Sequence, residues 1–268
     1  MPRPRTRGRS RSLQPWKRTW PSTAIRWPRR GCTVPSPDHD GIDVVAFAPH
    51  PDDVELFCGG TMLSAAAAGL TTAIVDLTDG ELSTNGTLEQ RARERDEASE
   101  LMGLAARRAL SMPDGALANT EPHRLAVVAA LRDLRPRVVL APFGNDRHPD
   151  HVAAAELVRQ ACFLAGLRRY GSGLPHRTTR VYRYMLHTPF EPKVLVDVGA
   201  VWGVRSELLR VYTSQVTLGA DDEPTALNDG GFVAMLETRA AHFGALAGVS
   251  YAEGFDADGP VLVKNLLD

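Results

Sequence analysis

The fold of this chain is decided by residues 44–61, which run Val44-Val45-Ala46-Phe47-Ala48-Pro49-His50-Pro51-Asp52-Asp53-Val54-Glu55-Leu56-Phe57-Cys58-Gly59-Gly60-Thr61. The apolar start predicts a buried strand, and strands that are apolar on both faces are typical of parallel sheets. The strand breaks into a turn with one imidazole and three carboxylates, and a helical pattern follows. Ligands bind to open α/β sheets at such turns, so this turn is a candidate metal or acid–base site. A stiff turn whose aspartate caps the next helix is an equal alternative for this stretch alone.

The alternation of strand and helix continues to residue 141. Further strands are predicted at 71–77, 108–112 and 137–141, and helices at 55–68, 87–102 and 121–134. Thr87 and Gln90 have the spacing of a capping box, and Gly103 stands where a helix C-cap belongs. This pattern predicts one α/β domain, Rossmann-like, with a mostly parallel sheet and helices on both faces. Right-handed crossovers favour the strand order 3-2-1-4, which puts the carboxyl ends of strands 1 and 4 side by side.

The C-terminal third of the chain predicts additional strands and helices. Strands are expected at 180–186 and 193–198, helices at 201–212 and 231–246, and a closing strand at 261–264. His187 follows the first of these strands, where it either lines the substrate side or is an ordinary loop histidine. The acidic loop at 220–223 is expected at the surface or over the pocket as a lid.

Charge is distributed unevenly along the chain. Residues 1–41 contain 10 of the 31 Lys and Arg residues but only Asp38 and Asp40 as acids, which leaves 21 basic and 30 acidic residues elsewhere. A segment rich in Arg and Pro, without apolar periodicity, cannot bury enough surface to offset the entropy of ordering. We therefore predict a disordered basic extension at 1–41 and a folded domain at 42–268. The acidic domain argues against nucleic acid as the main partner.

The distribution of apolar residues and cysteines indicates a cytoplasmic protein without a membrane partner. The longest apolar run, residues 62–70, is far shorter than the roughly 20 residues of a membrane-spanning helix. Residues 1–41 lack the apolar stretch of a signal peptide. Cys32, Cys58 and Cys162 do not make up a disulfide framework, and no two of them have metal-site spacing.

A second histidine-rich turn follows the fourth predicted strand and runs Phe143-Gly144-Asn145-Asp146-Arg147-His148-Pro149-Asp150-His151. The strand order predicts that it faces the turn at residues 50–55. His50 and Asp53 are three residues apart, as are His148 and His151. Two histidines and a carboxylate with an open position are a common catalytic zinc set, which also suits non-haem iron. One carboxylate and one histidine would remain beside the metal as general base and general acid of a hydrolase.

The two turns together resemble the PIG-L/LmbE-like zinc-dependent N-deacetylases. The residues that carry the resemblance are His50-Pro51-Asp52-Asp53-Val54-Glu55, Gly59-Gly60-Thr61 and Arg147-His148-Pro149-Asp150-His151. Further blocks are similar to one branch, the bacillithiol-biosynthesis deacetylases, which remove acetyl from N-acetylglucosaminyl-malate. These blocks lie at residues 76–78, 81–87, 163–167, 190–192, 212–215 and 251–255, so that the resemblance spans about residues 42–265.

The resemblance implies a metal site and two catalytic residues. His50, Asp53 and His151 would bind one Zn²⁺, with Fe²⁺ as the alternative. Such a metal lowers the pKa of a water molecule to about 7, and Asp52 would take the proton as general base. His148 would stabilise the oxyanion, an interaction typically worth about 3 kcal/mol, and would protonate the leaving amine.

The resemblance also implies substrate-binding roles for two arginines, and the sequence departs from the family pattern at one position. Arg91 and Arg147 would contact the sugar or the malate carboxylate. Otherwise Arg91 lies on a solvated helix face and Arg147 is only a positive neighbour of the metal ligands. Phe232 stands where relatives are expected to carry a tyrosine near the substrate, so that one hydroxyl is missing.

We therefore expect a hydrolase that removes the N-acetyl group from a small amino-sugar conjugate, N-acetylglucosaminyl-L-malate in the first instance. The alternatives are a deacetylase for another N-acetylglucosamine derivative and a thiol-conjugate amidase. From a different class, a non-hydrolytic nucleotide-binding Rossmann-like protein would use Gly59 and Gly60, but the G-x-G-x-x-G spacing is absent and the carboxylates would repel phosphate. The family also implies a homo-oligomer.

Overall fold

A central β-sheet organises residues 40–262, the part of the chain that this computed structural model describes. Residues 1–39 and 263–268 lie outside the described range, so the predicted basic extension remains a prediction. None of the helices in residues 40–262 combines the length and the hydropathy that crossing a membrane requires.

Strands and helices alternate through the first half of the chain and less regularly through the second. The first half contains β1 (Val44–Ala48), α1 (Asp53–Ala67), β2 (Thr72–Thr78), α2 (Leu88–Met102), β3 (Ala106–Met112), α3 (Glu121–Leu134), β4 (Val138–Pro142) and α4 (Pro149–Ala165). The second half contains β5 (Arg180–Tyr184), β6 (Val194–Asp197), a 3₁₀ turn (Gly199–Val201), α5 (Trp202–Leu208), α6 (Thr213–Val216), α7 (Phe232–Ala247) and β7 (Ala252–Ala257).

The described sheet has seven strands in the order β3-β2-β1-β4-β5-β7-β6. Strands β1 to β5 are parallel, whereas β7 runs antiparallel to both β5 and β6. The predicted order 3-2-1-4 and the mostly parallel α/β sheet are confirmed. Because chain progression reverses between β1 and β4, their carboxyl ends open onto the crevice where such sheets bind ligands.

The central strands are apolar on both faces because helices cover both sides of the sheet. Every residue of β1 and β2 is buried. Ala46 and Ala48 belong to a core that includes Met62, Tyr184 and Phe255. Their neighbours in β1, Val45 and Phe47, face a second core built on α3 and α4. This two-residue alternation is what an extended strand between two packed layers requires.

Local signals for helix ends agree with the structure. Thr87 precedes α2, and its side-chain oxygen accepts a hydrogen bond from Gln90 N at 3.1 Å. Gly103 ends the same helix in the left-handed conformation, with φ of 63°. Both predictions for α2 are confirmed, and this helix presents Arg91 to the crevice.

The closing strand is not where the sequence pattern predicts it. Residues 261 and 262 have no regular structure, residues 263 and 264 lie outside the described range, and the last described strand is β7. The glycine and two acids of β7 give a weak strand pattern. Its carboxylates are stabilised by arginines from distant elements, Glu253 by Arg205 and Asp256 by Arg183.

Two helical regions also differ from expectation. The helix predicted at 201–212 is divided into the 3₁₀ turn, α5 and α6. The sequence pattern does not predict α4, although Pro149 at its first turn is a helix-start signal. The predicted helices at 55–68, 121–134 and 231–246 are confirmed within one or two residues.

Two buried tyrosine hydroxyls allow a matched test of the core. Tyr184 Oη donates to Phe47 O at 2.8 Å, whereas Tyr170 Oη is buried without a partner among the described residues. We expect Tyr184→Phe to lower the unfolding free energy by about 1 kcal/mol, because a buried carbonyl loses its donor. Tyr170→Phe should change it by less than about 0.5 kcal/mol. Urea unfolding of both variants measures this, and equal losses would contradict the assignment.

Candidate metal centre and active site

The turn between β1 and α1 has a strained backbone at its centre. Asp52 has φ of 146° and ψ of −28°, a region that non-glycine residues rarely adopt. Arg91 Nη2 donates to the Pro51 carbonyl at 2.7 Å, and Leu56 N donates to the Asp52 carbonyl at 2.8 Å. Strain of this kind costs about 1–3 kcal/mol and persists where the surroundings fix the conformation. Here it directs the side chains of Asp52 and Asp53 into the crevice.

Asp53 lies between two histidines from opposite sides of the crevice. Its Oδ2 is 3.1 Å from His50 Nδ1, and its Oδ1 is 3.4 Å from His151 Nε2. One ligand atom from each of the three residues falls within 4.8 Å of the others. Two imidazoles and a carboxylate at this spacing fit a divalent metal such as zinc or iron. The structure thus brings the three predicted ligands together.

Carboxylates surround His50 more densely than the sequence indicates. Burial disfavours the charged imidazole, but hydrogen bonds to Asp114, Asp150 and Asp53 outweigh this and raise the pKa of His50 to about 12. Asp114 Oδ1 and Asp150 Oδ2 each lie 3.3 Å from His50 Nε2. So many carboxylates create a negative potential that a bound divalent cation would neutralise.

Two further groups of three residues in the described chain have metal-like spacing, namely His50 with His148 and Asp150, and Asp146 with His151 and His187. Their carboxylates are already engaged by the backbone. Asp150 accepts from Gly115 N at 2.7 Å and from Leu117 N at 3.1 Å. Asp146 Oδ2 accepts from His187 N and Thr188 N, both at 2.9 Å. Both oxygens of Asp150 and both of Asp146 accept backbone hydrogen bonds in this way, whereas on Asp53 only Oδ2 does, from His50 N at 2.9 Å. Among the described residues, the group centred on Asp53 is therefore the best candidate.

Asp146 orients one of the candidate ligands. Its Oδ1 lies 2.9 Å from His151 Nδ1, on the side of the ring opposite to Asp53. A carboxylate that accepts from the outer nitrogen of a metal-binding histidine fixes the tautomer and the ring direction. Asp146 is a functional candidate that the sequence did not single out.

His148 stands beside the candidate metal ligands as the N-cap of α4. Its Nδ1 accepts from Asp150 N at 3.2 Å, so the proton of a neutral ring is on Nε2. The ring is 4.8 Å from that of His50 and 4.7 Å from that of His151. Burial and these two neighbouring histidines lower the pKa of His148. It can therefore offer a single N–H donor to a group bound in the crevice.

The two arginines singled out in the sequence have different environments. Arg91 is buried, its Nη1 donates to Ser83 Oγ at 2.5 Å, and its Nη2 lies 3.3 Å from Asp52 Oδ2. A solvated helix face is thus excluded for Arg91. Burial raises the pKa of Asp52 to about 7 against the opposing charge of Arg91. Arg147 is exposed and lies 3.5 Å from His187 Nδ1.

A cavity of about 360 Å³ is lined by the residues predicted for the site, namely His50, Asp52, Asp53, Arg91, Arg147, His148 and His151. Part of its wall comes from α6, through Gln215, and from two loops, whose lining residues are Leu82, Ser83, Thr84, Thr225 and Leu227. Asn85 connects these two loops, because its side chain donates to Glu223 O at 2.8 Å and accepts from Glu223 N at 2.9 Å. In the acidic loop at 220–223, Asp222 is half-buried and the other residues are exposed, and none of them lines the cavity.

His187 and Asp114 are site residues that sequence reasoning left open or missed. His187 lines the cavity and stacks on His151 at 5.5 Å, and burial together with Arg147 lowers its pKa to about 4. Asp114 follows β3, so an acid at the carboxyl end of a third parallel strand was the available signal. Phe232 is buried against Phe57 and His187 and lines a neighbouring recess rather than this cavity.

Comparisons with known proteins identify the family. A profile of the PIG-L family, described as GlcNAc-PI de-N-acetylase, matches residues 45–162. Diacetylchitobiose deacetylase from Thermococcus kodakarensis is 30% identical over 239 residues, which cover 82% of this chain and 85% of that protein. The deacetylase of 1D-myo-inositol 2-acetamido-2-deoxy-alpha-D-glucopyranoside from Kineococcus radiotolerans is 26% identical, with 78% of each chain covered.

A solved structure agrees with this relationship. A conserved protein from Thermus thermophilus has a TM-score of 0.78 and 42% identity, covering 84% of this chain and 98% of that one. Fold, site and relatives define a metal-dependent amide hydrolase built on a parallel α/β sheet. The chain belongs to the PIG-L family of N-deacetylases, and the resemblance to this family is confirmed.

The contact between Asp146 and His151 generates a test of the metal centre. Asp146→Asn keeps the size of the side chain. Because Oδ1 accepts from His148 N and Oδ2 from His187 N and Thr188 N, either orientation of the amide places its NH₂ against a backbone donor, which weakens the hold on His151. We expect the zinc dissociation constant, measured by chelator competition, to rise about 10- to 100-fold. Asp229→Asn is the matched control, because Asp229 is exposed and, within residues 40–262, accepts a hydrogen bond only from Gly231 N. Equal zinc affinity of the two variants would count against the orienting role.

Proposed function

We propose that this chain is a zinc-dependent N-deacetylase that removes the acetyl group from an N-acetylglucosaminyl conjugate. The observation that carries the proposal is the Asp53 carboxylate held between His50 and His151, with the buried Asp52 carboxylate beside it. The named relatives, which act on diacetylchitobiose and on an inositol glycoside of N-acetylglucosamine, support the class of substrate.

His50, Asp53 and His151 would hold the metal, with Fe²⁺ as the alternative to Zn²⁺. The donor set fits because two nitrogens and one carboxylate converge, without a thiolate, in the wall of a cavity. When bound, such a metal activates a water molecule near neutral pH and polarises a carbonyl group. The remaining steps belong to the side chains around it.

Asp52 would act as the general base. Its carboxylate is buried beside Asp53, and a pKa near 7 suits a group that must accept a proton from water and later release it. Arg91 holds the carboxylate in place through Nη2 and lines the same cavity, where it would also contact the sugar. We therefore assign Arg91 both a positioning and a substrate-binding role.

His148 would stabilise the oxyanion. Its Nε2–H would donate to the oxyanion that forms when water adds to the acetyl carbonyl, an interaction typically worth about 3 kcal/mol. The amine must leave in protonated form, and the proton that Asp52 takes from the water would be passed to the amine nitrogen, because the neutral His148 ring, whose Nδ1 accepts from Asp150 N, has no second proton to give. Arg147, exposed at the rim of the cavity, would contact the sugar or a carboxylate of the attached group.

For the attached group we propose L-malate, on the strength of the sequence blocks that resemble the bacillithiol-biosynthesis branch. Another N-acetylglucosamine derivative or a thiol conjugate is the alternative. Phe232 is buried and offers no hydroxyl, so a hydrogen bond that a tyrosine would supply must come from elsewhere. Thr225 and Gln215 line the cavity and carry suitable polar groups.

A non-hydrolytic nucleotide-binding role is disfavoured by the surroundings of Gly59 and Gly60. Gly60 N already donates to the Glu253 carboxylate at 2.9 Å. A Cβ atom at Gly59 would lie 2.7 Å from Leu208 Cδ2, so the segment is covered by protein. A phosphate group would therefore meet the Leu208 side chain at Gly59 and a carboxylate at Gly60.

We further propose that residues 42–268 act as the enzyme without the basic extension, in the cytoplasm, with homo-oligomer formation as in the family. Removal of residues 1–41 should therefore leave the rate of amine release within about twofold, because no charge of the extension is needed at the cavity. Loss of activity on removal would instead support a functional role for the extension. The purified full chain and the shortened chain are compared at equal zinc content.

Amine release is the direct test of the reaction. Wild-type protein loaded with zinc should release free amine from N-acetylglucosaminyl-malate, and we expect Asp52→Asn to lower kcat by about 10²- to 10⁴-fold with unchanged zinc content. Asparagine is chosen because it tolerates a positive φ better than alanine. Asp53→Asn is the companion variant, and it should lose zinc as well as activity.

The choice of substrates separates the reaction from its specificity. Diacetylchitobiose and free N-acetylglucosamine are assayed beside the malate conjugate. Faster amine release from diacetylchitobiose than from the malate conjugate would overturn L-malate as the attached group but would leave the proposed N-deacetylase reaction standing. Binding of zinc without amine release from any of the three would overturn the proposed substrate class.

A further inference from the structure

Helix α1 consists of two helical segments with a break at Cys58. Within Asp53–Ala67, Cys58 has φ of −143° and ψ of 18°, which is not a helical conformation. The first segment carries Asp53 and ends with Phe57, and both residues line the cavity. The second segment contains Gly59, Gly60 and Thr61. Sharp breaks of this kind arise where a side chain enters the ladder of backbone hydrogen bonds.

An ion pair occupies the place of one backbone hydrogen bond at this break. In a regular helix, Gly60 N–H would donate to the Leu56 carbonyl, four residues earlier. Here Gly60 N donates to Glu253 Oε1 at 2.9 Å, and Leu56 O accepts from Arg205 Nη2 at 2.6 Å. Arg205 Nε and Glu253 Oε1 are themselves 3.0 Å apart. The pair therefore bridges the two segments of α1.

Arg205 and Glu253, which form the bridge, are both buried, and both carboxylate oxygens of Glu253 accept hydrogen bonds. Arg205 is 3% exposed and Glu253 is 6% exposed. The second oxygen of Glu253 accepts from Thr61 N at 2.7 Å and from Thr61 Oγ1 at 2.8 Å. Partners held in such a setting have few alternative arrangements, since an unpaired charge in this position would be costly.

The bridge also explains the sequence Gly59-Gly60-Thr61. A Cβ atom at Gly60 would lie 2.7 Å from Glu253 Oε1, and one at Gly59 would lie 2.7 Å from Leu208 Cδ2. Glycine at both positions leaves room for the side chains of Glu253 from β7 and Leu208 from α5, and the threonine supplies a further donor. None of these three residues takes part in the proposed chemistry.

We propose that Arg205 and Glu253 are positioning residues for the metal centre. By replacing the hydrogen bond at the break, they fix the direction of the first turn of α1 and with it the Asp53 carboxylate between His50 and His151. They also fix Phe57 in the cavity wall. The inference rests on the proposed metal site at these three residues.

The test compares three buried side chains by conservative substitution. Arg205→Lys loses the planar fork that reaches both Leu56 O and Glu253, and Glu253→Gln turns one acceptor into a donor that faces donors. Arg132→Lys is the matched control. Arg132 is also buried and also donates to backbone carbonyls, those of Ala165, Leu167 and Ser172, but these lie at the end of α4 away from α1.

Three measurements distinguish positioning from general stability. They are the melting temperature, the zinc dissociation constant by chelator competition, and the visible spectrum of the Co²⁺-loaded protein. We expect all three variants to melt at lower temperature. Only Arg205→Lys and Glu253→Gln should raise the zinc dissociation constant about 10- to 100-fold and alter the Co²⁺ spectrum. Their kcat should fall with little change in KM.

The proposal is overturned if the two bridge variants melt earlier but keep the zinc affinity and the Co²⁺ spectrum of the wild type, as Arg132→Lys should. If a bridge variant does not fold, Thr61→Val removes one hydrogen bond to Glu253 at nearly constant volume and should move affinity and spectrum less, in the same direction. Metal readouts keep the test separate from the substrate. A wild type that binds zinc without releasing amine refutes the proposed function only, and a wild type that binds neither zinc nor Co²⁺ refutes both.

Discussion

The contact on which the rest of the site depends is the sharing of one carboxylate by two histidines. His50 lies in the turn after β1 and Asp53 begins α1, whereas His151 lies in the first turn of α4, after β4. The two oxygens of Asp53 reach both rings only because β1 and β4 are neighbours in the sheet, with Val44 opposite Val138. The site therefore depends on the strand order. The two apolar faces of β1 pack into the cores on either side of the sheet and so hold this strand in its central position.

Arginines with little solvent exposure hold the turn that carries this carboxylate. Arg91 binds the Pro51 carbonyl and Asp52, Arg107 binds Glu55 at 2.5 Å, and Arg205 binds the Leu56 carbonyl. Burying guanidinium groups is costly unless each is paired, and a neighbouring carboxylate accompanies every one of them. The arrangement has a functional meaning because a strained backbone at Asp52 needs rigid surroundings.

The parts of the structure that were predictable from sequence are those with local or periodic signals. The apolar runs of β1 and β4, alternating with helices, were enough to predict the strand order. That order and the two His-Pro-Asp turns predicted that His50, Asp53 and His151 lie close together. Local capping signals predicted both ends of α2. Asp114 was missed because its turn follows an edge strand in which exposed and half-buried residues outnumber buried ones, so that the strand lacks the apolar run that drew attention to β1 and β4. The strand β7 was missed because its acids are stabilised by arginines far away in the chain, such as Arg205, and such pairs leave no local pattern.

The bridge between Glu253 and Gly60 joins residues 193 positions apart. The residues that would hold the metal all lie at or before His151, whereas the support that we propose for Asp53 comes from β7, about a hundred residues later in the chain. Contacts of such long range form late in folding, because the intervening chain must close first. If the bridge positions Asp53 as proposed, the candidate metal site would reach its final geometry only after β7 has joined the sheet, so that metal affinity would depend on the folding of β7 as well as on the ligands themselves.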